Sequence, residues 1–253
     1  MMQDHSMLRW TRAVSRLLVL LVTSAQAGFA FLIRRARGPL AIAERAEWLH
    51  HWCSLALHRL GIETIGIGRF PVGGLLVSNH LSYLDILVFS ALAPCVFVSK
   101  KEVRSWPVYG WLARLAGTIF VDRNRLADAH QANLRMARTL SEGSVVVLFP
   151  EGTSSDGTAV LPFRAALLEA AITSREPVSS AHIGYAVENG SVETEICYWG
   201  TMNFFPHLLR LMSLRGIRAQ VRFATDAQRY EDRKMAASAT RKLVLALGKL
   251  ELT

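Results

Sequence analysis

The chain is short of the residues from which a disulfide scaffold or a metal centre is built. Only three of its 253 residues are cysteine: Cys53, Cys95 and Cys197. They lie far apart, odd in number and without a CxxC pair, which excludes a disulfide framework and fits a reducing compartment. No zinc-finger spacing, RNP-type aromatic motif or lysine-rich tail occurs, so the net charge of +9 is not read as that of a nucleic-acid binder. No GxSxG occurs either. A serine hydrolase would need that nucleophile elbow, and Ser82 and Ser154 are poor substitutes for it. Internal repeats, low-complexity tracts and long linkers are missing.

Apolar surface and positive charge are plentiful. The chain is 51% hydrophobic and its mean hydropathy of +0.24 is high for a soluble enzyme. Its charge points to an anionic partner, an acidic membrane surface or a phosphorylated ligand. Residues 17–33, "LLVLLVTSAQAGFAFLI", carry no charge, and six arginines flank them against the single Asp4. Seventeen residues is short for a spanning helix, where roughly 20 are expected. Ala25 and Ala27 in "SAQA" match a signal-peptidase pattern, yet apolar residues and then Arg34-Arg35 follow it. A membrane anchor, spanning or lying in one leaflet, is the expectation. Basic clusters on both flanks leave its orientation open.

Residues 41–60 look amphipathic, with Trp48, Trp52, Leu55 and Arg59 as a stripe for the membrane interface. His50, His51, Cys53 and His58 make a poor metal set, because adjacent histidines face apart on a helix and no Hx3H pair exists. Metal and cofactor are accordingly expected to be none.

From residue 62 short β-rich runs alternate with helical ones. Strands are expected at Ile62–Gly68, Leu75–Asn79, Val96–Lys100, Thr118–Val121, Val145–Phe149, Val178–Tyr185, Val192–Tyr198 and Ile217–Phe223. Helices are expected at 84–92, 106–115, 125–141, 161–174, 203–212 and 232–249. The alternation predicts an α/β fold, a mixed β-sheet flanked by helices. Residues 1–60 read as membrane-anchoring helices and 61–253 as one catalytic domain.

In "VSNHLSYLDIL", residues 77–87, a histidine and an aspartate stand where a strand gives way to a helix. Active groups of open α/β sheets tend to lie just beyond the carboxyl ends of strands. His80 would emerge there, and Ser82 could cap the helix. Asp85, in the first turn, could reach back to one imidazole nitrogen and leave the other free as a base. The plain alternative is a capping aspartate beside a surface histidine. Two further strand ends weigh against it: "GTIFVDR" presents Arg123, and "VVVLFPEGTSSDG" breaks into a polar turn with Glu151 and Gly152.

These residues resemble the motifs of the PlsC-type glycerolipid acyltransferases, the 1-acyl-sn-glycerol-3-phosphate acyltransferases, over roughly residues 60–200. NHx4D is met by Asn79, His80 and Asp85. The second motif is met by Gly117, Phe120, Asp122 and Arg123, and FPEGT by Phe149, Pro150, Glu151, Gly152 and Thr153. A fourth, proline-centred motif is echoed only by Pro177 and Val178.

The resemblance implies acyl transfer from acyl-CoA or acyl carrier protein to a lysolipid hydroxyl, at the cytoplasmic face of the bilayer. It makes His80 the base and Asp85 its orienter, with Arg123, Glu151, Gly152 and Thr153 on the acceptor. The chain departs from the pattern at Ser154, where the family usually has arginine. A branch that acylates lyso-ornithine lipid looks similar there and in "YWGTMNFFPHL", residues 198–208. Lysophosphatidate leads as acceptor, lyso-ornithine lipid is the alternative, and a non-catalytic lipid-binding protein is the alternative of another class.

Overall fold

The computed structural model describes residues 2–122 and 125–250, with the side chains of residues 2–6 and 126 left out of account. Its centre is a seven-stranded sheet of β1 (Glu63–Ile67), β2 (Gly74–Ser78), β3 (Val96–Lys100), β4 (Ile119–Val121), β5 (Val145–Leu148), β6 (Val178–Ala186) and β7 (Arg218–Phe223). The order across the sheet is β1-β7-β6-β2-β5-β3-β4, parallel except for the β6/β7 pair. All five residues of β2 and all four of β5 are buried. Central parallel strands covered on both faces have this unbroken apolar character.

The helices are α1 (Met2–Ala36), α2 (Ile42–Leu60), α3 (Leu84–Leu92), α4 (Tyr109–Leu115), α5 (Leu126–Ser141), α6 (Glu169–Thr173), α7 (Phe204–Ser213) and α8 (Arg233–Gly248). One core layer joins Leu57 and Leu60 of α2 to Val88 and Phe89 of α3 and to Leu76 and Val147 of the sheet. The opposite layer joins Met136 and Leu140 of α5 to Leu75, Val77 and Val146. The mixed α/β architecture is therefore the one expected.

Helix α1 is a single 35-residue rod, about 52 Å long at 1.5 Å per residue. By length and composition Met7–Ala36 could cross a bilayer. One face is nonetheless committed to the protein. Ala13 and Leu20 enter the main core. The guanidinium of Arg12 donates to Ser213 O at 2.9 Å and that of Arg16 to Leu214 O at 2.6 Å. These cations meet the carbonyl end of α7, where positive charge is favoured. The other face, with Leu18, Leu21, Val22, Phe29 and Leu32, is 54% to 67% exposed.

Three local expectations need correction. Trp48 is buried rather than interfacial: its Nε1–H donates to Ala27 O at 3.0 Å and its ring takes Phe31 edge-on at 5.1 Å. Residues 192–198 form no strand but a single π-type turn, Val192–Ile196, followed by extended chain. Both edges of β6 are already paired, with β2 and β7, so no ladder is open there. The helix expected over 161–174 shrinks to a 3₁₀ turn, Ala165–Leu168, and α6, Glu169–Thr173.

Candidate active site

Strands β2 and β5 are hydrogen-bonded neighbours with Val77 opposite Leu148. Their carboxyl ends, Asn79-His80 and Phe149-Pro150-Glu151, therefore leave the sheet side by side. Asn79 holds its end in place: its amide donates to Ile183 O and its side-chain oxygen accepts from Ile183 N, both at 2.9 Å. This side-chain pair ties the end of β2 to β6 just past Ser78↔Ala181.

His80 follows, with its side chain 20% exposed. Its Nδ1–H donates to Asp85 Oδ2 at 2.8 Å. A carboxylate only accepts, so the hydrogen sits on Nδ1 and Nε2 keeps its lone pair. The ring lies flat on Phe149, centroids 4.2 Å apart and planes 11° apart.

Asp85 is completely buried and fully engaged. Oδ2 also accepts from Leu81 N at 2.7 Å and Ser82 N at 3.0 Å, and Oδ1 accepts from the Tyr185 hydroxyl at 2.6 Å. Burial, and then Asp85 itself, pushes the Tyr185 hydroxyl well up, so it stays a donor. The carboxylate thus closes the first turn of α3. Ser82 does not cap it, as the sequence suggested; its buried hydroxyl makes no hydrogen bond among the described residues. Tyr185 was not foreseen, because a tyrosine inside an apolar strand reads as core.

Glu151 is 2% exposed, and one of its oxygens accepts from His80 N at 3.1 Å. Burial pushes its carboxyl up to about 7, against the pull of the His80 and Leu161 amides. Gly152 takes φ +77° in the turn, a conformation that favours glycine, and Thr153 beside it is exposed. Ser155 N donates to His80 O at 2.9 Å, and Arg164 N donates to Pro150 O at 2.9 Å. The FPEGT loop is thereby stitched to the His80 loop.

From the second motif, Asp122 lies 3.5 Å from Lys101 Nζ. Gly117 at φ +82° lets Ile42 of α2 close in, where a Cβ would come within 2.4 Å of Ile42 Cδ1. Arg123 lies outside the described residues.

Two features had no strong sequence signal. The first is the segment after the π turn. Tyr198 N donates to Leu81 O at 2.8 Å, and the Ser154 hydroxyl donates to Tyr198 O. Ser154 is thus turned inward, onto the neighbouring chain. The second is an apolar cavity of about 170 Å³, lined by Leu20 and Ala27 of α1, Trp52, Tyr83, Leu87 and Phe204 among others. Tyr83 and Leu84, from the same loop and helix as His80 and Asp85, form part of its wall.

Comparison with known proteins gives one family throughout. The family model described as Acyltransferase matches residues 62–184. The lyso-ornithine lipid O-acyltransferase of Rhizobium meliloti is 36% identical over 208 residues, covering 74% of this chain and 70% of its own. The 1-acyl-sn-glycerol-3-phosphate acyltransferase of Neisseria gonorrhoeae is 36% identical over 186 residues, covering 71% of each. The crystal structure of PlsC from Thermotoga maritima superposes with a TM-score of 0.66 at 18% identity, covering 96% of this chain and 100% of that one. That likeness speaks for the fold.

Proposed function

Since the chain belongs to the acyltransferase family, we propose that it is a lysolipid O-acyltransferase in which His80 is the general base. The observation that carries this reading is the buried Asp85 holding His80 Nδ1 at 2.8 Å, which leaves Nε2 as the one basic nitrogen.

His80 Nε2 takes the proton of the acceptor hydroxyl as its oxygen attacks the carbonyl carbon of an acyl thioester. The tetrahedral oxyanion is met by backbone N–H groups of the adjoining loops. The C–S bond then breaks, an ester remains, and the thiolate leaves with the proton that His80 had taken. Asp85 steadies the imidazolium between the two transfers. Coenzyme A or acyl carrier protein is the leaving group, and no further cofactor is called for. The apolar cavity suits the donor's acyl chain.

Helix α1 gives the membrane surface. It packs on the catalytic fold along one side, so it lies in one leaflet with Leu18, Leu21, Phe29 and Leu32 towards lipid. The catalytic fold then faces the cytoplasm, where the thioester donors are.

Lysophosphatidate is the first acceptor in this reading, with Arg123, and Arg164 next to the Pro150 turn, as cations for its phosphate. Glu151, Gly152 and Thr153 form the turn beside it. One observation favours lyso-ornithine lipid as a second reading. Ser154 offers no cation and is spent on Tyr198, while Asp156 in the same loop presents a carboxylate for an amine.

The test uses the purified protein in vesicles with radiolabelled palmitoyl-CoA and each lysolipid in turn. Label appearing in phosphatidate or ornithine lipid supports the reading. Label in neither, with the donor intact, refutes it.

A further inference from the structure

Helix α7 supplies a histidine that the reaction as described does not use. His207 is 3% exposed, within an otherwise apolar layer. Its Nε2 lies 3.0 Å from Cys197 O and its Nδ1 lies 2.9 Å from the Tyr83 hydroxyl. A carbonyl only accepts, so Nε2 carries the hydrogen. Nδ1 then has a lone pair and takes the hydroxyl hydrogen of Tyr83. Burial lowers the affinity of His207 for a second proton and pushes the Tyr83 hydroxyl up, so both groups keep these roles.

Tyr83 stands between the two parts of the site. It is the residue just before α3, between His80 and Asp85 in sequence, and it lines the apolar cavity. Its ring meets Phe204 at 5.1 Å and Tyr198 at 5.5 Å, both edge-on. Edge-to-face contacts hold the faces of the ring but leave the position of the phenol oxygen to its own partner. A hydrogen bond at the far end of the phenol fixes it. His207 supplies that bond and, through Cys197 O, ties the same point to the segment that Ser154 grips.

We propose that His207 is a positioning residue for acyl transfer, pinning the Tyr83 hydroxyl so that the Tyr83 ring stands as a fixed wall between the His80 loop and the cavity that receives the donor chain. This rests on the function proposed above. The consequence falls on donor binding rather than on proton transfer, because the hydrogen bonds of this pair run from Tyr83 to His207 and from His207 to Cys197 O, not to the imidazole of His80.

The isosteres of histidine separate the two bonds. In His207→Asn the side-chain oxygen takes the place of Nδ1 and still accepts from Tyr83. In His207→Gln the amide nitrogen takes the place of Nε2 and still donates to Cys197 O, but the Tyr83 bond is lost. Steady-state kinetics are measured with palmitoyl-CoA varied and the better of the two lysolipids held saturating, and Tm is followed in parallel.

His207→Gln and Tyr83→Phe are expected to raise KM for palmitoyl-CoA about 3- to 10-fold, with kcat and its pH profile unchanged. His207→Asn should stay near wild type, and the Tyr83→Phe/His207→Gln pair should be no worse than either alone. Equal losses in Asn and Gln, additive losses in the pair, or an unchanged KM in Tyr83→Phe overturns the inference. Tyr83→Phe removes one oxygen and decides the matter even if a His207 variant fails to fold. A wild-type chain that acylates neither lysolipid contradicts the proposed function instead, and this inference falls with it.

Discussion

The hydroxyl of Tyr185 donates to Asp85 Oδ1 at 2.6 Å, across 100 residues of chain. Strand β6 thereby supports the carboxylate that orients His80, from the side opposite the imidazole. Tyr185→Phe removes this donor and leaves one oxygen of a completely buried carboxylate unmet. A hydrogen bond to a charged group contributes about 1.5–3 kcal/mol. Urea unfolding should show a loss of that size, and kcat should fall with KM for both substrates unchanged. Wild-type stability in the variant would show that the bond carries no load.

Glu151 gives the fold a pH dependence of known sign. Its folded value, about 7, lies above the 4.5 of a free carboxyl, so the folded chain holds this proton more tightly. The group's contribution is therefore most favourable at low pH and is lost as pH rises from 4.5 to about 7. Glu151→Gln keeps an acceptor for His80 N–H and removes the charge. Relative to wild type, its Tm should rise progressively between about pH 5 and pH 8. Parallel Tm curves for the two proteins over that range would contradict the assignment.

What could be read from the sequence was what the chain encodes locally. His80 and Asp85 are five positions apart at a strand–helix junction, and that junction alone brings them within 2.8 Å. The apolar runs that become β2, β3 and β5 announced themselves in the same way. Partners from distant chain were illegible: Tyr185 on Asp85, Ile183 on Asn79 and His207 on Tyr83. Trp48 was misplaced because amphipathic spacing does not say whether a tryptophan faces lipid or another helix. Residues 192–198 have strand-like composition, but strand pairing depends on a free edge, which is a property of the whole sheet.

Helix α1 serves two surfaces, and variants should separate them. Replacing Leu18, Leu21, Phe29 and Leu32 with serine touches only the exposed face. This fourfold variant should move from the vesicle pellet to the supernatant in sedimentation assays, with Tm retained. Deleting residues 1–38 should instead yield insoluble protein, because it uncovers Leu57 and Leu60 and removes the cations at the end of α7. Soluble, folded protein after the deletion would contradict the packing role.

Ser154 offers a test of acceptor choice. A charge-assisted contact between arginine and phosphate contributes about 1.5–3 kcal/mol, or roughly 10- to 150-fold in binding. Ser154→Arg should raise relative use of lysophosphatidate over lyso-ornithine lipid when both compete for one acyl donor. It also frees Tyr198 O, so kcat should drop for both acceptors. An unchanged ratio of kcat/KM values would show that this loop does not select the acceptor.

The most direct measurement is acyl transfer by folded His80→Ala and Asp85→Asn proteins, with radiolabelled palmitoyl-CoA and the acceptor that wild type uses. General-base catalysis contributes about 100- to 10,000-fold. His80→Ala should lose at least that factor in kcat while still binding vesicles and unfolding at a Tm close to wild type. Asp85→Asn should lose a large part of it and some stability, because an amide cannot accept from Tyr185, the His80 imidazole and two backbone N–H groups as the carboxylate does. Turnover near the wild-type rate in folded His80→Ala would contradict a mechanism in which this imidazole takes the acceptor's proton.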